Sequence, residues 1–225
     1  MVEIGLSGRE VLVFGATGAL GAGLASAFAD MGAVVRGVSH AVPEADRQLS
    51  GVAYEGVDVL DDAAVGAFFD AGRAPWAVIN TVGGYAPKRL LADLDSAELT
   101  RQIELNLVSA ALITKHALRV MKPAGAGRIV HTASRAATVT AGNGFAYSVS
   151  KLGVLHLVDM AADEVRGTAV SVNCVVPSII DTPENRKALP NADHDAWPKA
   201  RDIARAYIYL AAPDTRLVNG AAIPV

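Results

Sequence analysis

Short apolar runs rich in Val, Ile and Ala alternate with longer helical patterns from one end of this chain to the other, and that alternation constrains the fold most. The strand-like runs are 10–15 (EVLVFG), 33–39 (AVVRGVS), 52–59 (VAYEGVDV), 76–82 (WAVINTV), 127–133 (GRIVHTA), 169–176 (AVSVNCVV) and 221–225 (AAIPV). The helix-like stretches between them are 18–31, 61–71, 95–121, 145–165 and 199–212. Strand and helix in strict turn predict βαβ units, hence a parallel sheet covered on both faces, with right-handed crossovers. The fold class expected is α/β, in a single doubly wound domain over 1–225. Hydrophobic residues make up 52% of the chain and aromatics only 5%, so small side chains dominate, as suits helices packed on a buried parallel sheet. The segment 177–198 carries four prolines and is too polar for core; its length marks a functional loop, with 178–198 as the expected substrate loop.

Charge and cysteine content exclude several classes of function. The net charge is −3 and there is no basic tract, so nucleic-acid binding is not expected. Cys174 is the only cysteine, which rules out an internal disulfide and fits a reducing compartment. The start MVEIGLSGREVLVFG has no signal-peptide character, and no apolar run reaches the roughly 20 residues of a membrane span. The expectation is a cytoplasmic protein. Neither His131 nor His194 has a ligand partner at useful spacing, so no metal site is expected.

After the first strand comes GATGALG, with Gly15, Gly18 and Gly21 at three-residue spacing. A strand–turn–helix junction needs one glycine for the turn, one for backbone approach to a pyrophosphate, and one for close helix–sheet packing. The helix that follows points free N–H groups and its positive dipole end at the phosphates. A carboxylate at the end of the second strand would favour NAD. The chain has Ser39-His40 there, with Arg36 nearby. NADP(H) is therefore favoured, with NAD(H) possible. The alternative is that Arg36 and His40 are merely exposed at a strand end and the preference is set elsewhere.

Tyr147 and Lys151 lie four residues apart and so share a helix face. A neighbouring ammonium favours phenolate, which would tune the tyrosine as an acid–base group. Ser134 follows the strand GRIVHTA, where a hydroxyl could donate to a substrate oxygen. Asn106 is an amide in mid-helix, and Asn80 with Gly83 and Gly84 follows the fourth strand.

Together these motifs resemble the short-chain dehydrogenases/reductases, nearly end to end. Asn106, Ser134, Tyr147 and Lys151 match the family's catalytic tetrad, which implies a Rossmann-type sheet of about seven strands in the order 3-2-1-4-5-6-7. The resemblance implies cofactor contacts from Gly15, Thr17, Gly18, Ala19, Leu20 and Gly21; from Ser39 and His40; and from Asp58 and Val59, which would meet the adenine. It extends them to Asn80, Val82 and Gly83, to Tyr147 and Lys151, and to Pro177, Ile180 and Thr182 near the nicotinamide carboxamide. Asn106 is implied to hold a water through its backbone. Three positions depart from the pattern: Ala19 for the middle glycine, Val82 for alanine and Ser178 for a glycine. The implied reaction is hydride transfer between a nicotinamide and a small-molecule carbonyl or alcohol. Pocket walls are expected at 84–91, 135–145 and the 178–198 loop, with Tyr85, Phe145 and Trp197 as candidates. The two long helices are implied to pair in a homodimer or homotetramer. The stretch 181–197 is also similar to quinonoid dihydropteridine reductases, which leaves a pterin- or imine-reducing enzyme as an alternative. A non-catalytic NADP(H)-sensing protein on the same fold is the other.

Overall fold

The computed structural model describes residues 5–86, 90–139 and 144–225. Seven strands form one parallel sheet: β1 (Glu10–Phe14), β2 (Val34–Ser39), β3 (Val52–Gly56), β4 (Ala77–Asn80), β5 (Gly127–Thr132), β6 (Val170–Val176) and β7 (Ala222–Pro224). Their order is β3-β2-β1-β4-β5-β6-β7, as the resemblance implies. Every residue of β4 and of β6 is buried, because helices cover both faces of a central parallel strand. The edge strands β3 and β7 are partly exposed.

Side chains that alternate along β1 feed two cores. Leu12 and Phe14 face the side covered by α2 (Asp62–Asp70), α4 (Ser109–Ala124) and α5 (Phe145–Glu164). Val11 and Val13 face α1 (Ala19–Asp30) and α7 (Ala200–Ala211), where Phe28 and Tyr207 are completely buried. The helices differ from the periodicity's prediction in two places. The stretch 95–121 becomes α3 (Ser96–Ile103), a π-helical turn (Glu104–Val108) and then α4. Within the supposed irregular segment a short helix forms, α6 (Pro183–Ala188), started by proline and capped by the Thr182 hydroxyl, which accepts from the Asn185 amide at 3.1 Å.

β1 pairs with β2 on one side and β4 on the other, so the strand order reverses beside it. Such a reversal opens a crevice at the carboxyl ends of the strands. Gly15, Asn80, Ser134 and Pro177 all follow or end strands at that edge.

Candidate active site

Helix α5 brings a charge into the core. Ala146, Ser150, Lys151, Val154 and Val158 form its buried stripe, and Lys151 is only 4% exposed. Its ammonium donates to the carbonyl oxygen of Thr132 at 3.0 Å. Burial lowers its pKa to about 8, against a smaller opposing effect of Cys174. Ser134 caps a short 3₁₀ turn (Arg135–Ala137), its oxygen accepting from the Ala136 amide at 3.2 Å. A hydroxyl that accepts in this way still has its own proton to donate. The phenol of Tyr147 is held above its ordinary pKa by burial; Ser134 pulls it back down by hydrogen bonding, and Tyr85 pushes it up. The Tyr85 ring meets the Tyr147 ring edge-on at 5.2 Å. The expectation that Lys151 would lower the phenol's pKa is therefore corrected. Removing water from the phenolate sets the direction, and the ammonium is engaged with the Thr132 carbonyl.

Asn106 lies in the π-helical turn and is buried. Its Nδ2 is shared among Gly84 O (3.2 Å), Gln102 Oε1 (2.9 Å) and Ser150 Oγ (3.0 Å), while its Oδ1 accepts from the Gly84 amide (3.0 Å). The amide thus clamps the segment after β4 to α5. A Cβ at Gly83 would stand 2.5 Å from Asn106 Oδ1 and 2.9 Å from Lys151 Nζ, so only glycine fits there. Neither Gln102 nor Ser150 stood out in the sequence; the one available signal was polar residues at helical spacing on faces that should be apolar.

Beneath these groups runs a polar brace that joins strands β4 and β5 to helices α4 and α7. Thr114 donates to Ala110 O (2.7 Å), so toward His131 Nε2 (2.8 Å) it can only accept. The imidazole therefore carries its proton on Nε2, and its Nδ1 accepts from Asn80 Nδ2 (3.2 Å). Asn80 Oδ1 in turn accepts from the Val82 amide (3.0 Å). Burial, with a smaller effect from Lys151, lowers the His131 pKa to about 4, which keeps the ring neutral. Thr132 donates to Asn80 O (2.8 Å) and accepts from the buried Tyr207 hydroxyl (2.6 Å). Thr114 and Tyr207 escaped the sequence reading, although His131 and Thr132 at the end of the buried strand GRIVHT were a signal.

The glycine loop has the shape expected of a phosphate cradle. Gly15 has φ +81°, a conformation that favours glycine, and a Cβ on Gly21 would lie 2.1 Å from Gly15 O. Gly18 begins α1 without any side-chain cap, and Thr17 and Ala19 are exposed beside it, with Leu20 packed on the core. At the end of β2 the Ser39 hydroxyl is buried and has no partner among the described residues, and His40 is exposed. Next to it a cleft of about 360 Å³ is lined by Ala16, Thr17, Val42, Glu44, Arg47 and Tyr54, among others. These features fit a dinucleotide.

Arg36 is a correction. It bonds Glu10 (2.9 Å) and Glu55 (2.6 Å) and lies 4.8 Å over the Phe68 ring. Its side chain is spent on its neighbours in the sheet, away from a phosphate. Asp58 accepts from the Leu60 amide (3.0 Å), Val59 and Val82 pack on the core, Pro177 O accepts from the Arg135 amide (3.0 Å), and Ile180 packs toward α1 and α7. The Trp197 ring meets the His194 ring at 4.6 Å, tilted by 52°, within the 178–198 segment. Of the expected pocket walls, 87–89 and 140–143 lie outside the described residues.

Known proteins are similar to this chain in sequence and fold. A family model described as enoyl-(acyl carrier protein) reductase matches residues 15–225. The cis-4-hydroxycyclohexanecarboxylate dehydrogenase of Sinomonas cyclohexanicum is 33% identical, over 96% of this chain and 94% of that one. The D-threitol dehydrogenase of Mycolicibacterium smegmatis is also 33% identical, over 96% and 90%. A short-chain dehydrogenase/reductase structure from Burkholderia xenovorans superposes with a TM-score of 0.88 at 29% identity, over 98% and 95%. The chain belongs to the short-chain dehydrogenases/reductases, a family of NAD(P)-dependent oxidoreductases.

Proposed function

We propose that this protein interconverts an alcohol and its carbonyl compound with NADP(H), and less readily with NAD(H), using Tyr147 as the general acid–base. The observation that carries this reading is the convergence of Ser134, Tyr147 and Lys151 at the carboxyl edge of β5, with the serine hydroxyl hydrogen-bonded to a half-buried phenol. Both dehydrogenases named above act on alcohols, which supports the same chemistry here.

When bound, the nicotinamide supplies the hydride to the carbonyl carbon, or takes it from the alcohol carbon in reverse. In reduction Tyr147 gives its proton to the oxygen that develops charge, and Ser134 donates a hydrogen bond to that oxygen. Lys151 keeps two N–H donors beyond its bond to Thr132 O, which would hold the ribose hydroxyls and stabilise the phenolate left on Tyr147. Asn106 fixes the Gly83–Gly84 backbone against which the ring would lie, together with Asn80, Val82, Pro177, Ile180 and Thr182. The Gly15–Gly21 loop and the start of α1 would hold the pyrophosphate. Asp58 and Val59 would meet the adenine, while Ser39 and His40 would meet its ribose. Arg47 would supply the charge for a 2′-phosphate; Glu44 in the same cleft would keep NAD(H) usable. A second copy of the chain would cover α5, where Leu152 and Met160 are exposed.

The test is Tyr147→Phe. Turnover of a carbonyl panel should fall by at least about 10²-fold, as loss of a placed acid–base group implies, while NADPH still binds by fluorescence titration. Near-normal turnover would exclude the assignment.

A further inference from the structure

A line of polar side chains runs along the helix that leads into the site. Glu98, Gln102 and Asn106 stand one turn apart and are 9%, 3% and 1% exposed. Helix α3 packs on α5, where an apolar side chain would fill the same space without the cost of desolvating a charge and two amides. The three are joined end to end. Gln102 Nε2 donates to Glu98 Oε1 at 3.0 Å, and Asn106 Nδ2 donates to Gln102 Oε1 at 2.9 Å. Arg101, exposed to solvent, pairs with Glu98 from outside.

A carboxylate has no proton to give, so its end of the line sets the direction of every bond after it. Gln102 must turn its nitrogen to Glu98 and its oxygen to Asn106. Asn106 must meet that oxygen with Nδ2, which leaves Oδ1 to accept from the Gly84 amide at 3.0 Å. The Gly84 carbonyl asks for the same orientation, accepting from Nδ2 at 3.2 Å. Ser150 gives its own proton to Tyr147 O at 2.8 Å, so it too can only accept from Nδ2, at 3.0 Å. Asn106 is thus held at once from α3, from α5 and from the segment after β4. Its Oδ1 and the Lys151 ammonium lie 2.5 and 2.9 Å from one point, where a Cβ on Gly83 would stand. A flipped amide would set an N–H donor toward that ammonium.

We propose that Gln102, anchored by Glu98, is a positioning residue for hydride transfer: it locks the Asn106 amide, and through it the Gly83–Gly84 backbone and the turn of α5 that carries Tyr147 and Lys151. This rests on the function proposed above and adds two residues to its machinery.

Hydrogen exchange at the Gly84 amide reads the clamp directly, because that half-exposed residue donates to Asn106 Oδ1. Gln102→Leu should speed exchange there about fivefold, the worth of one neutral hydrogen bond, and weaken NADPH binding by a similar factor, while the amides of β2 keep their protection. Gln102→Glu sets two carboxylates in contact and should do the same. Adding Glu98→Gln to it restores a donor between 98 and 102 and an acceptor facing Asn106, so both readings should return to within about twofold of wild type. A side chain that merely fills space would show no such recovery. Wild-type exchange and affinity in Gln102→Leu, or a double variant no better than Gln102→Glu alone, would overturn the proposal. Should Gln102→Leu fail to fold, the other two variants decide. If the wild type turns over no carbonyl compound, the function proposed above fails, and exchange at Gly84 still decides whether Gln102 locks the amide.

Discussion

The ammonium of Lys151 donates to the carbonyl oxygen of Thr132 at 3.0 Å, so a charge on α5 is anchored to the last residue of β5. Thr132 is itself gripped from the other face of the sheet by the Tyr207 hydroxyl at 2.6 Å. Helices on opposite faces thus meet at one residue beside the site, and the position of Lys151 depends on both.

That anchorage makes Lys151 expensive for the fold. Its pKa falls from 10.5 to about 8 by burial, so the unfolded chain binds the proton more tightly. The sign follows: the penalty is fully present below about pH 8 and fades as pH rises toward 10.5. Relative to Lys151→Met, the wild type should gain on the order of 3 kcal/mol between these limits. Urea unfolding of both proteins at pH 7.5 and 10.5 measures it, and Lys151→Met should be inactive.

His131 predicts the opposite end of the pH scale. Its pKa is about 4 in the fold against an ordinary 6.5, because it is buried as a neutral ring. Its contribution is whole above about pH 6.5 and is lost as pH falls through 4. His131→Gln keeps an acceptor for Asn80 and a donor for Thr114, yet cannot titrate. It should flatten acid unfolding, whereas His131→Phe, equally unable to titrate, should lower stability at neutral pH by about 1–3 kcal/mol for the orphaned partners.

Two glycines of one loop should behave differently. A Cβ on Gly21 meets backbone at 2.1 Å, and neither strand nor helix can give way. A Cβ on Gly18 meets only Gly15 O, at 3.4 Å, an ordinary contact. Gly21→Ala should therefore cost about 3 kcal/mol or more and abolish cofactor binding, while Gly18→Ala folds normally. Thermal melts with and without NADPH separate the two.

Cofactor choice should follow the cleft and not the strand. Arg36→Gln breaks two ion pairs inside the sheet edge, so it should lower Tm and leave the NADPH:NADH ratio of kcat/KM unchanged. Arg47→Ser, at the cleft, should cut that ratio by about tenfold, the worth of a charge-assisted bond to phosphate.

Much of this was readable from the chain because its information is local. Strand and helix periods depend on which residues of a segment face inward, so seven strands and their order followed from pattern and resemblance. Gly15 and Gly21 were legible because a turn and a close approach admit nothing larger. Tyr147 and Lys151 were legible because helix pitch puts i and i+4 on one side. Only the tertiary structure decided what each polar group does with its neighbours. It turned Arg36 inward to Glu10 and Glu55, let burial raise the Tyr147 phenol, and joined His131, Thr114 and Asn80 from three separate elements. Desolvation and hydrogen bonding depend on distances across the fold, and residues 17 or 51 positions apart carry no mark in sequence of meeting there.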